Sequence, residues 1–152
     1  MIKKTTIRPA LQADYKALVN ANIQLALETE NLALDKQLVE DGVLAVFQDP
    51  SKGRYIIIEE DNQVIASLMI THEWSDWRNN NVAWIQSVYV APTHRRLGYF
   101  TQLFQFVENL CKQGQYCGIR LYADKTNLAA IAMYRKIGLD DSHYLFFEKM
   151  NS

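Results

Sequence analysis

The chain has 152 residues, 49% of them hydrophobic, enough for one domain with a real core. Sixteen Lys and Arg stand against seventeen Asp and Glu, a net charge of −1 that gives no drive toward nucleic acid or a membrane surface. Two cysteines, Cys111 and Cys117, make neither a disulfide framework nor a zinc site, no apolar run has transmembrane length, and the polar start Met1 to Arg8 does not read as a signal peptide, so a cytoplasmic protein without a metal is expected.

Residues 2–8 read as a first strand, ended by Pro9. From about Gln12, Tyr15, Val19, Ile23 and Leu27 share a helical face, and Thr29 to Asp35 interrupts that helix. A second helix carries Leu38, Val39, Val43, Val46 and Phe47 on one face. After a loop at Asp49 to Gly53, Tyr55 to Ile58 and Val64 to Thr71 read as a hairpin closed by Asp61-Asn62. The returning strand is apolar on both faces, so helices are expected on both sides of the sheet. Glu73 to Asn81 reads as a polar loop with two tryptophans.

The stretch from Trp84 to Phe100 organises the rest. A β-branched and aromatic run ends at Pro92, a basic turn with Arg95, Arg96 and Gly98 follows, and Leu103, Phe104, Val107, Leu110 and Cys111 then recur at helical spacing. Amides at a helix N-terminus lack partners within the helix and lie at the positive end of its dipole. They suit an anion, phosphate above all, and a glycine lets the backbone approach it. The same residues also read as an ordinary helix start with two solvated arginines. The turn is no P-loop, because no Gly-Lys-Ser/Thr follows, and one glycine makes no dinucleotide fingerprint. Downstream, Gly118 to Ala123 reads as a strand parallel to the central one. A short helix bears Ala130, Met133, Tyr134 and Ile137 and ends near Gly138, and Ser142 to Met150 is strand-like. The order β-α-α-β-β-β-α-β-α-β describes a single α/β domain, residues 1–152, with a mixed sheet flanked by helices.

Two motifs then stand in order. Val88-Tyr89-Val90-Ala91-Pro92 with Arg95-x-x-Gly98 resembles the acyl-CoA signature of the GNAT superfamily of N-acetyltransferases. Asn127-x-x-Ala130-x-x-Met133-Tyr134-x-Lys136-x-Gly138-Leu139 resembles that superfamily's second motif. The resemblance covers essentially the whole chain and implies a strongly twisted sheet with splayed central strands. It implies acetyl-CoA as co-substrate. The pantetheine arm would pair with the backbone at Val88, Tyr89 and Val90, and the pyrophosphate would sit on the turn Arg95, Arg96, Leu97, Gly98, Tyr99, Phe100 and Thr101. Asn127 would hydrogen-bond the pantetheine, and Tyr134 would act as general acid toward the leaving thiolate, with the Val88 amide stabilising the oxyanion. Without the motif, Tyr134 reads as a tyrosine at a core edge. Phe100 departs from the small residue the family places there.

The acceptor implied is a primary amine, and the Glu73 to Trp77 stretch resembles the diamine (polyamine) acetyltransferase branch. There a glutamate occupies the position of Gln86, and a glutamine takes no proton. Glu28, Glu30, Glu73 and Asp76 are the candidate base and acceptor carboxylates, each of which also reads as a solvated surface group. Trp74 and Trp77 read equally as an aromatic wall for an ammonium and as an interface or sheet cap. The expectation is therefore an acetyl-CoA-dependent N-acetyltransferase for a small cationic amine, a homodimer by resemblance. A protein or peptide N-acetyltransferase and a non-catalytic acyl-CoA-binding module are the alternatives.

Overall fold

The structure, a computed structural model, describes residues 2–151. It divides into two compact units, Met1–Leu121 and Tyr122–Ser152. In the first unit β1 (Thr5–Pro9) leads through a 3-10 turn into α1 (Tyr15–Glu30) and α2 (Lys36–Gln48). Strands β2 (Arg54–Glu60), β3 (Gln63–Ser75) and β4 (Asn80–Val90) follow, then α3 (Tyr99–Lys112) and β5 (Ile119–Arg120). The sheet order is β1-β2-β3-β4-β5, antiparallel except for the β4–β5 pair.

Local chemistry explains the joints. Asn31 takes the left-handed conformation that ends α1, and the Asp35 side chain accepts from the Leu38 amide to start α2. Asp61 and Asn62 both have positive φ, 49° and 66°, as a two-residue hairpin with a matching twist requires. Helices α1 and α2 bury Leu18, Val19, Val43 and Val46 against Tyr55 and Ile57. The other face carries Ile56, Ile58, Leu68 and Ile70, all fully buried, and α3 packs across β2, β3 and β4 with Leu103 and Val107. Both faces are thus covered, as the apolar pattern of β3 demands.

Several expectations are corrected. The first strand starts at Thr5, where pairing with Glu60 begins, and Ile2 is fully exposed. Leu27 and Leu38 lie on the outer sides of α1 and α2 and are exposed. The stretch Glu73 to Asn81 is mostly strand: β3 runs through Ser75 and β4 starts at Asn80, so Glu73 and Trp74 are strand residues and only 76–79 turn. Cross-strand pairing overrides their polar character.

The second unit contains α4 (Leu128–Lys136), entered through an Asp124–Thr126 turn and closed by the bidentate Arg135–Asp141 pair. Residues 142–150 belong to no strand, against the expected one. A strand exists only with a ladder partner, and the described sheet ends at the two-residue β5. Among the described residues no helix is long and apolar enough to cross a membrane.

Candidate acyl-CoA site

The central strand is irregular where the motif begins. Across β3 and β4, Met69 lies opposite Gln86 and Ser67 opposite Tyr89, so β4 spends three residues where β3 spends two. The extra residue is accommodated by Ser87, a non-glycine at φ 55°. The bulge brings Gln86 and Tyr89 to the same face although they are three apart. On its other side β4 pairs with β5 only at Ala83 and Trp84. Beyond Trp84 no described strand covers β4, and its open run carries Val88, Tyr89 and Val90.

The open run feeds the basic turn. Pro92–His94 forms a 3-10 turn, Arg96 has φ 62°, and Gly98 has φ 86° as the N-cap of α3. A Cβ at Gly98 would meet nothing within 4 Å, so the space above the helix start is open. Arg95, Arg96, Leu97 and Gly98 are all exposed, while Tyr99, Phe100 and Thr101 are half-buried in the first turn of α3. Phe100 tilts against Phe104 at 6.2 Å, turned into the helix packing, which leaves the backbone of the first turn in place.

Arg95 is engaged by protein groups. Its Nε donates to the Val90 carbonyl at 2.9 Å, its Nη2 lies 2.5 Å from Glu28, and its guanidinium sits 5.6 Å from the centre of the Tyr89 ring. Burial, with the Glu28 charge beside it, pushes the Tyr89 hydroxyl up from its ordinary pKa. Glu28 is therefore brought to the turn rather than left as a lone acceptor carboxylate.

On the face shared by Gln86 and Trp84, the Gln86 amide donates to Thr71 Oγ1 at 3.1 Å. Glu73 forms an ion pair with Arg120 of β5. Trp74 and Trp77 are 60% and 88% exposed at the end of the β3–β4 hairpin, so neither is core. Asp76 lies in the hairpin turn and Glu30 at the end of α1, both exposed.

In the second unit, Asn127 caps α4 with its Oδ1 accepting from the Ala130 amide at 3.2 Å. Its side-chain NH2 takes no part in that cap and is a donor. Tyr134 is half-buried on α4, and burial pushes its hydroxyl pKa up, which keeps it protonated at neutral pH.

Sequence reasoning missed Glu60, His94 and Arg120. Glu60 was legible: it continues the period of Ile56 and Ile58 onto a buried strand face, where a carboxylate must find partners. Arg120 was not, because its pairing with Glu73 depends on the β4–β5 register.

Residues 17–139, a span that enters both units, match the acetyltransferase (GNAT) family. A possible acetyltransferase from Clostridium difficile 630 is 38% identical over 97% of this chain and 98% of its own, with a TM-score of 0.91. A predicted acetyltransferase from Clostridium acetobutylicum, solved with acetyl-CoA, shares the fold at 22% identity, covering 95% of this chain and 96% of its own, with a TM-score of 0.76. A ribosomal-protein-alanine N-acetyltransferase from Brucella melitensis biovar Abortus 2308 does so at 11% identity, 97% and 100% coverage and a TM-score of 0.79. No curated protein matches the chain. The chain belongs to the GNAT family of acetyltransferases and is an acyltransferase, in a family that uses acetyl-CoA.

Proposed function

We propose that the protein transfers the acetyl group of acetyl-CoA to a primary amine on a small cationic molecule, working as one N-acetyltransferase domain and as a homodimer. The observation that carries this is the open run of β4 beyond Trp84, leading directly into a turn whose glycine exposes a helix N-terminus. An uncovered strand offers backbone donors and acceptors to an amide-bearing arm such as pantetheine. The amides of the turn and the first turn of α3, from Arg95 to Thr101, suit a pyrophosphate, with Arg96 adding charge. Bound acetyl-CoA would supply the activated acyl group.

The chain's own groups then have distinct tasks. The Val88 amide faces the charge that develops on the attacked carbonyl oxygen. Tyr134, protonated at neutral pH and more firmly so for its burial, gives its proton to the departing thiolate, and the proton that the attacking amine loses is returned to the tyrosine by way of solvent. The Asn127 side-chain NH2 donates to the arm. Gln86 positions the acceptor as a hydrogen-bonding group and takes no proton. Trp74 and Trp77 offer exposed aromatic faces to an ammonium, with Glu30 and Asp76 as exposed carboxylates for its charge.

A peptide amine is the second reading, favoured by one observation: Arg95 and Arg120 offset the charge of Glu28 and Glu73, which reduces the pull on a free cation. Thiol release from acetyl-CoA, measured against diamines, polyamines, amino acids, aminoglycosides and peptides, separates the two. Turnover with a diamine or polyamine supports the first reading and turnover with peptides alone the second. Absence of any acetyl-CoA binding would sink both.

A further inference from the structure

We propose that Glu60 is a positioning residue that fixes the phosphate-binding turn before ligand arrives, by holding both of its ends from β2; this rests on the turn being the acyl-CoA phosphate site. Glu60 closes β2 with its side chain carried inward by the same alternation that buries Ile56 and Ile58, and it is 8% exposed. A carboxylate so placed is tolerated only when paired and hydrogen-bonded. Its Oε1 accepts from His94 Nε2 at 3.1 Å and from Lys3 Nζ at 3.2 Å, and its Oε2 accepts from the Tyr99 hydroxyl at 3.0 Å.

Those partners bracket the turn. His94 is the last residue of the 3-10 turn that precedes it, and Tyr99 is the first residue of α3. Between them lie only Arg95, Arg96, Leu97 and Gly98, all exposed. Two of the four, Arg96 and Gly98, have positive φ. A non-glycine in that conformation persists only where its surroundings over-determine it. Arg95 ties the start of the turn to Val90 and Glu28, and the ends, His94 and Tyr99, supply the constraint that the exposed Arg96, Leu97 and Gly98 do not. Thr93 Oγ1 lies 2.8 Å from His94 Nδ1, so a hydroxyl donating there leaves Nε2 as the N–H that meets Glu60. The His94 hydrogen bond, followed by those of Tyr99 and Lys3, holds the Glu60 carboxyl below its usual range, and Glu60 in turn raises the Tyr99 hydroxyl. The network is mutually reinforcing around an ionised carboxylate.

A turn fixed in advance spares the ligand the cost of ordering it. The effect is confined to the part of the ligand that touches the turn. CoA carries the pyrophosphate, with a phosphorylated adenosine beyond it, and pantetheine carries neither, so the pair separates the phosphate end of the ligand from its arm.

The experiment is calorimetric binding of CoA and of pantetheine to the wild type, Glu60→Ala, Glu60→Gln and Tyr99→Phe, with thermal melting of each variant as the folding check. The wild type is expected to bind CoA on the order of a hundred-fold more tightly than pantetheine. Glu60→Ala should lose roughly ten-fold in CoA affinity and Tyr99→Phe roughly three-fold, with pantetheine affinity held within about two-fold. Glu60→Gln, which keeps an acceptor without the charge, should lie between wild type and Glu60→Ala. If the wild type shows no preference for CoA, the phosphate site itself is misplaced. If the preference exists and survives in both Glu60→Ala and Tyr99→Phe, or if both ligands lose affinity equally, the assignment to Glu60 is overturned. Should Glu60→Ala fail to fold, Tyr99→Phe and Glu60→Gln decide the matter by the same ratio.

Discussion

Arg95 of the basic turn before α3 and Glu28 of α1 are joined by an ion pair of 2.5 Å, with Arg95 also donating to the Val90 carbonyl. The signature arginine thus ties the start of the turn to the end of α1. This decides what Glu28 can do. Its charge is matched within the protein, so it is a poor receptor for an amine. Glu28→Gln should leave the KM of the amine acceptor within about two-fold and, because both groups are more than a third exposed, cost less than about 1 kcal/mol of stability. Steady-state kinetics on the preferred acceptor check this; a ten-fold rise in amine KM would restore Glu28 as an acceptor carboxylate.

Tyr134 is the proposed acid. Tyr134→Phe should lower kcat by about 10²–10⁴-fold, with the KM for acetyl-CoA little changed. Because burial raises the hydroxyl pKa, the wild-type kcat should hold through the ordinary tyrosine range near 10 and fall only above it. A pH profile of kcat in which Tyr134→Phe retains the wild-type rate would remove the acid role.

The two left-handed residues of the turn give opposite expectations. Gly98→Ala meets no atom within 4 Å, so its cost is backbone strain alone, about 1–2 kcal/mol. Arg96→Gly relieves such strain and should gain a few tenths of a kcal/mol, offset in part by the entropy of a new glycine. Chemical denaturation of the two variants should place them on opposite sides of wild type. A stable Gly98→Ala would mean that the turn is differently built.

Much of this was legible in the chain. The apolar run of β2, the two apolar faces of β3, the Asp61-Asn62 hairpin and the apolar face of α3 are local patterns, and each formed as read. What was not legible depended on pairing between distant strands. Glu73 and Trp74 look like loop residues and become strand residues because β4 pairs alongside them. The register slip at Ser87 has no composition signal, since serine is not a residue that announces a positive φ. The partners of Glu28 and Glu73 are arginines 67 and 47 positions away, reachable only through the fold. The C-terminal stretch with Tyr144, Leu145, Phe146 and Phe147 has strand composition and lies in none of the described strands.

Asp14 illustrates a purely structural carboxylate. It receives Arg8 Nη1 at 2.8 Å and the Leu11 amide at 2.8 Å just before α1, and the Arg8 hydrogen bond holds its pKa below the ordinary value. A depressed folded pKa contributes stability that is present above the unfolded value, near 3.9, and lost as pH falls through the folded one. Asp14→Asn should cost about 2 kcal/mol at pH 7, a gap that begins to close below about pH 4 and is lost as pH falls through the folded value. Urea titrations at pH 7 and pH 3 measure both numbers, and a gap independent of pH would contradict the assignment.

Acetyl-CoA is proposed to lie along β4 and on the turn before α3, and amide hydrogen exchange with and without CoA reads both places. Protection is predicted at Val88 to Val90 and across the turn from Arg96 to Thr101, with α2 unchanged. Binding that leaves those amides exchanging at their free rate, or that protects α1 and α2 instead, would contradict that placement.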